Sequence, residues 1–206
     1  MIQTCKSNEK YALISVLADL YFIALLLPPS AAHQVERYQV WARDTFDSRA
    51  ALRSPPHVTL QSPFKLGDDE NKVLKSVLTV CAGQTPAIDV TLSGFGAFPP
   101  RVVYIDVVQT PELMTVQSIL SRRLKVTFGV GCDLSVDRPF CPHVSVAFRD
   151  LKRSQFRKLW AEVRDKTFTE FFQVTGMALL RHDGRRWQVD SEYRFGLRRG
   201  SAGTGL

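Results

Sequence analysis

Two short stretches of this chain repeat one another. Pro56-His57-Val58-Thr59-Leu60 and Pro142-His143-Val144-Ser145-Val146 share proline, histidine, valine, a hydroxyl residue and an aliphatic in the same order. Such an internal match points to two halves that do the same structural job. In a β-strand residues i and i+2 face one side and i+1 the other. Each copy therefore presents an imidazole and a hydroxyl together, while Val58 and Leu60, or Val144 and Val146, turn into the core. If a pseudo-two-fold axis relates the halves, the two polar pairs meet across one groove.

The rest of the chain can support such a structure. Of 206 residues, 45% are apolar and 23% charged, which is globular chemistry rather than disordered or collagen-like chemistry. The net charge of +7 suits a polyanion such as RNA, and equally suits plain solubility. Cys5, Cys81, Cys132 and Cys141 show no C-x-x-C spacing, so reduced thiols and a cytoplasmic setting are expected. The apolar run from Tyr11 to Leu27 faintly resembles a signal peptide, but Asp19 interrupts it. Its second half, Tyr21 to Leu27, reads as a buried strand ended by Pro28-Pro29.

Periodicity and punctuation predict the other elements. Ser30 is placed to cap a helix whose stripe is Val35, Tyr38, Trp41, Ala42 and Phe46. The extended segment His57 to Leu60 should stop at Ser62-Pro63. Asp68, Asp69 and Glu70 open a second helix carrying Val73, Leu74, Val77, Leu78 and Cys81, closed near Gly83. Ile88, Val90 and Leu92 alternate as a strand, Val102 to Val108 is its neighbour, and Ser93 to Pro100 reads as a loop presenting two aromatics. Thr110-Pro111 starts a third helix on Leu113, Val116, Gln117, Leu120 and Leu124. A fourth carries Phe156, Leu159, Trp160 and Val163. Strands over Phe171 to Leu180 and Trp187 to Phe195 flank the turn His182-Asp183-Gly184. The succession argues for an α+β protein with largely antiparallel sheets.

Two imidazoles with two hydroxyls suit a phosphodiester. One neutral ring can take a proton from water while the other, protonated, gives one to the leaving ribose oxygen. Thr59 and Ser145 can donate to the non-bridging phosphoryl oxygens, and no metal is required. The bland alternative is that each histidine satisfies a local carbonyl at a sheet edge.

These residues resemble the 2H phosphoesterase superfamily, and within it the 2'-5' RNA ligase-like, or RNA 2',3'-cyclic phosphodiesterase, family. The likeness rests on His57-Val-Thr-Leu, Gln61-Ser-Pro-Phe64, the Leu92-Ser-Gly-Phe-Gly loop and His143-Val-Ser-Val. It implies a bilobal fold of two pseudo-symmetric lobes, antiparallel sheets with flanking helices and a central cleft. Residues 1–19 are then an N-terminal extension, 20–197 a single bilobal domain and 198–206 a flexible tail. It implies opening of a 2',3'-cyclic phosphate on RNA or a nucleotide to a 2'-phosphomonoester, with His57 as proton donor and His143 as proton acceptor; 2'-5' ligation is the same chemistry run in reverse. A monomer without cofactor is expected. Ser145 departs from the more common threonine but keeps the donor.

Around this centre, Phe64, Phe98, Phe148 and Tyr104 can stack a base, and Arg149, Arg101 or Arg181 can meet a terminal phosphate. Core packing is the alternative for each aromatic. His33 and His182 lack the hydroxyl two residues on and read as surface residues. Two rival functions stay open: a non-catalytic module that binds phosphate or an RNA end, and a metal-dependent hydrolase with histidine ligands. No carboxylate-rich or Cys/His cluster accompanies the histidines to favour the latter.

Overall fold

A computed structural model describes residues 18–129 and 139–196. The N-terminal extension up to residue 17, Cys5, Cys132 and the tail from residue 197 lie outside the described residues.

The first strand, β1 (Asp19–Leu26), is central in its sheet and buried on both faces, which is why it reads as a continuous apolar run. Tyr21, Ile23 and Leu25 join the main core. Phe22 and Ala24 pack on the opposite face with Ala178 and Leu180. Helix α1 (Pro29–Phe46) follows, then a short 3-10 turn (Ala50–Arg53) and β2 (His57–Leu66). Helix α2 (Asp68–Gly83), β3 (Ile88–Phe98), β4 (Val102–Val107), α3 (Pro111–Phe128) and β5 (His143–Ala147) come next. The chain closes with α4 (Arg153–Val163), β6 (Thr169–Val174), β7 (Gly176–His182) and β8 (Trp187–Arg194).

The strands form two antiparallel four-stranded sheets, ordered β2-β1-β7-β8 and β5-β4-β3-β6. Each sheet ends in one copy of the repeated motif, and β2 touches β5, so the two edge strands meet at the middle of the molecule. The unit β1-α1-β2 matches β4-α3-β5 in order. Yet α1 packs on β5 and α3 on β2, so each connecting helix covers the opposite sheet. This exchange joins the lobes through one core, into which Val58, Leu60, Val144 and Val146 turn with exposures of 1% or less. Burial of each valine is worth about 2 kcal/mol.

Several local expectations are corrected. Pro28 rather than Ser30 holds the cap position of α1, with Pro29 at the first helical position, where the missing N–H costs nothing. β2 does not stop at Ser62-Pro63. It runs to Leu66, because on an edge strand the proline nitrogen can face away from the ladder. Val73 is 49% exposed, so Leu74, Leu78 and Cys81 carry the inner face of α2. The residues from Ser93 to Phe98 belong to β3 rather than to a loop; the register shifts between Leu92 and Phe95 beside Gly94, whose φ is +72°. The run Phe171 to Leu180 is two strands in different sheets: β6 pairs with β3 and β7 with β1. By contrast, α3 forms as predicted, with Thr110 Oγ1 accepting the Leu113 N–H at 3.3 Å.

Candidate active site

The two edge strands present their polar pairs to one cleft of about 850 Å³, lined by His57, Thr59, His143 and Ser145. The same local bond fixes each histidine. His57 Nδ1 lies 2.7 Å from the Pro55 carbonyl oxygen, and His143 Nδ1 lies 2.8 Å from that of Cys141. A carbonyl can only accept, so Nδ1 carries the hydrogen in both rings. Each Nε2 is left as the atom that can take or give a proton.

Each ring also leans on an aromatic from the neighbouring strand. Phe22 of β1 stands 4.8 Å from the His57 ring, and Trp187 of β8 meets Phe22 edge-on at 4.6 Å. Tyr104 of β4 stands 4.9 Å from the His143 ring, with Phe98 at 5.3 Å. These contacts restrict the rings to one orientation and strip water from them. Burial accordingly pushes His57 down to about 4, aided by the charge His143 would carry and opposed by the Pro55 carbonyl. Burial also lowers His143, where the Cys141 carbonyl and Asp106 pull the other way.

The lobes differ at one register position. Asp106 is the cross-strand partner of His143, whereas Leu26 is the partner of His57. Directly paired residues share a face, so a carboxylate flanks one imidazole and a hydrocarbon the other.

The other sequence candidates separate. Phe148 and Arg149 line the cleft, with the guanidinium 5.5 Å from the Phe148 ring centre. Arg149 adopts φ +57°, an unusual conformation for a side-chain-bearing residue. It is pinned from both sides: the Asp150 N–H donates to Phe148 O at 2.7 Å, and the Asp150 carboxylate accepts from Ser48 Oγ at 2.8 Å and the Arg49 N–H at 2.9 Å. The unusual conformation is thus held in place beside the cleft. Phe98 also lines the cleft and is 40% exposed. Phe64 does not reach it; the ring is 7% exposed and packs in the core, 6.5 Å from Tyr21. Tyr104 is 8% exposed and supports His143 rather than offering a free face. Arg181 is tied to Asp19 at 3.1 Å, and Arg101 sits exposed beyond β3 without lining the cleft. His33 is exposed on α1, while His182 is half-buried with its ring 4.9 Å from Trp187.

Sequence reasoning missed Phe22, Trp187 and Gln39, all of which line the cleft. Phe22 lay within a run read only as core, although period-two alternation from Tyr21 separates its two faces. Gln39 gave no signal, since a glutamine on a helix reads as solvent-facing.

The sequence pattern described as the 2'-5' RNA ligase superfamily matches residues 27–186. The chain belongs to that superfamily. It is 28% identical over 59% of its length to a Geobacillus thermodenitrificans protein named "Putative phosphoesterase", spanning 66% of that protein, just under two thirds. Among solved structures it is similar to a Thermus thermophilus protein, with a TM-score of 0.65 at 20% identity over 86% of this chain and 98% of the other. LigT of E. coli complexed with 3'-AMP matches with a TM-score of 0.65 at 22% identity over 87% and 99% of the two chains. The superfamily fold, two four-stranded antiparallel sheets with four helices among the described residues, is thus the fold of this chain. No helix among the described residues is long and apolar enough to cross a membrane.

Proposed function

We propose that this protein is a phosphodiesterase that opens a 2',3'-cyclic phosphate, on an RNA end or a nucleotide, to a 2'-phosphomonoester. The observation that carries the reading is the mirrored pair of imidazoles, each with Nδ1 tied back and Nε2 free, in one cleft with two hydroxyls.

In the reaction His143 Nε2 takes a proton from water as the water oxygen bonds to phosphorus. The bond from phosphorus to the ribose O3' breaks, and O3' takes the proton from His57 Nε2. Thr59 and Ser145 donate to the non-bridging oxygens, where charge accumulates. The difference between the lobes supports this direction. Positive charge appears on the acceptor, His143, which Asp106 faces, and vanishes from the donor, His57, which Leu26 faces. A substrate phosphate supplies the negative charge that loads the first proton onto His57. Arg149 meets a terminal phosphate, and Phe148 and Phe98 bear on a base. The protein acts as a monomer without cofactor, on RNA with a cyclic phosphate end or on a cyclic nucleotide. LigT, whose solved complex holds 3'-AMP, is a precedent for a nucleotide in this fold.

The test is an assay of the purified protein on RNA bearing a 2',3'-cyclic phosphate, with the product identified as the 2'- or 3'-monophosphate. The 2'-monophosphate is expected. If neither forms, the cleft is a binding module for phosphate or RNA ends.

A further inference from the structure

Each imidazole of the cleft leans on a buried aromatic, and a more open aromatic stands nearby. Phe22 beside His57 is 3% exposed and Tyr104 beside His143 is 8% exposed, so neither offers a ligand a free ring. Trp187 and Phe98 line the cleft and do reach solvent, the first half-buried and the second exposed. They belong to different lobes. Phe98 ends β3 and stands 5.3 Å from the His143 ring. Trp187 begins β8, with Phe22 between it and His57: Phe22 lies 4.6 Å from the indole and 4.8 Å from the imidazole. The indole is thus one aromatic ring beyond His57. Its cross-strand partner, His182, meets it at 4.9 Å. Phe22 and His182 approach at 82° and 71°, so edge contacts hold the indole and, among the described residues, no ring is stacked parallel to it.

The direction of displacement decides which aromatic meets the base. At phosphorus the attacking and leaving oxygens lie on opposite sides, roughly in line. Water enters beside His143, so O3' leaves toward His57. O3' is part of the ribose, and the base hangs from the same sugar. The nucleoside being opened therefore lies on the His57 side, its base one sugar ring beyond the phosphate. Trp187 stands on that side, while Phe98 and Phe148 stand with His143, on the side of the water.

We infer that Trp187 is the platform for the base of the nucleotide whose cyclic phosphate is opened. This rests on the proposed function and on the roles it gives the two histidines. The base lies against the indole, a contact that tolerates any base because every base has a π face. Phe98 and Phe148 are left to the base of a further nucleotide, which an RNA substrate has and a mononucleotide lacks. Trp187 takes no part in proton transfer; it fixes the nucleoside so that O3' meets His57.

Two substrates separate the base from the sugar: adenosine 2',3'-cyclic phosphate, and methyl riboside 2',3'-cyclic phosphate, which keeps the ring and the ester but has no base. The native protein prefers the first in kcat/KM by at least about fivefold. Trp187→Ala abolishes that preference, chiefly through a higher KM for the nucleotide, and Trp187→Phe keeps most of it. In Phe98→Ala the preference stays within about twofold of the native value, whatever happens to the rates. Trp187 also supports Phe22 beside His57, but loss of that support slows both substrates alike and leaves their ratio untouched. Equal losses on both substrates in Trp187→Ala would show a strut for the His57 wall and overturn the inference. A preference that disappears in Phe98→Ala instead would put the base on the water side and overturn it too. Should Trp187→Ala not fold, fluorescence of the native protein decides. Of the three tryptophans Trp187 alone lines the cleft, so adenosine 2'-phosphate must quench indole emission where ribose 2-phosphate does not, and equal responses to the two overturn the inference. A native protein that opens neither ester removes the proposed function and this inference together, whereas an active one with no preference for the base removes this inference alone.

Discussion

Gly96 lies against the face of Tyr104: a Cβ built on the glycine would overlap the tyrosine ring. The two are cross-strand partners in β3 and β4, and the same ring leans on His143. Gly96→Ala therefore pushes Tyr104 against the His143 ring. The expected cost is about 1–3 kcal/mol of stability, together with a loss of activity larger than that of a comparable destabilisation elsewhere. Thermal melts and kcat measured on the same samples check this. An alanine variant with native stability and turnover would show that the ring is free to move aside.

Asp106 faces His143 where Leu26 faces His57. Asp106→Asn removes the carboxylate that raises His143, so the imidazole should titrate lower still, and kcat/KM should fall about threefold to tenfold. Titration of the histidine ring resonances by NMR reads the first effect. An unmoved His143 would mean that the carboxylate is fully screened.

His57→Ala and His143→Ala should each slow cyclic phosphate opening at least about a hundredfold while the fold survives, as for a general acid or base. Circular dichroism reports the fold and product formation the rate. Unchanged turnover in both variants would sink the mechanism.

Burial holds His57 near about 4 in the folded chain, against 6.5 for the free side chain. As pH falls, the unfolded chain takes up this proton first, so the contribution to stability present above pH 6.5 is lost progressively down to about pH 4. His143, also lowered, acts in the same sense. A loss on the order of 2 kcal/mol is expected from urea melts between pH 7 and pH 4.5, and it should shrink in His57→Gln. An identical pH dependence in the variant would refute the assignment to His57.

Chelation provides a last check. A reaction carried by two imidazoles and two hydroxyls should run at its full rate in excess EDTA, and a rate restored only by an added divalent ion would favour the reading of the histidines as ligands.

The repeated motif made the centre of the site readable, because a period of two fixes which side chains share a face whatever the lobes do around them. The first turn of α3 was equally readable, since Thr110-Pro111 states its own cap. What escaped depends on neighbours far along the chain. Nothing local divides Phe171 to Leu180 except Gly176, where a Cβ would press on the Tyr193 carbonyl, and that contact exists only once β8 is in place. Pro63 reads as a terminator until β2 is known to be an edge. Gln39 is buried because its amide meets a carbonyl 106 positions away, which no local pattern announces.

The sheet order has a consequence for how the protein is made. Strands β3 to β6 are contiguous in sequence, so their sheet is complete once residue 174 has been synthesised. The other sheet joins strands far apart in sequence: β1 must wait for β7. Until then Phe22 and Ala24 stand beside an open apolar edge, and a nascent or truncated chain ending after Val174 would carry that edge exposed, ready to pair with another copy. Strands β7 and β8 are thus the ones that make the polypeptide safe, and Trp187, which β8 brings, completes the wall of the cleft at the same moment.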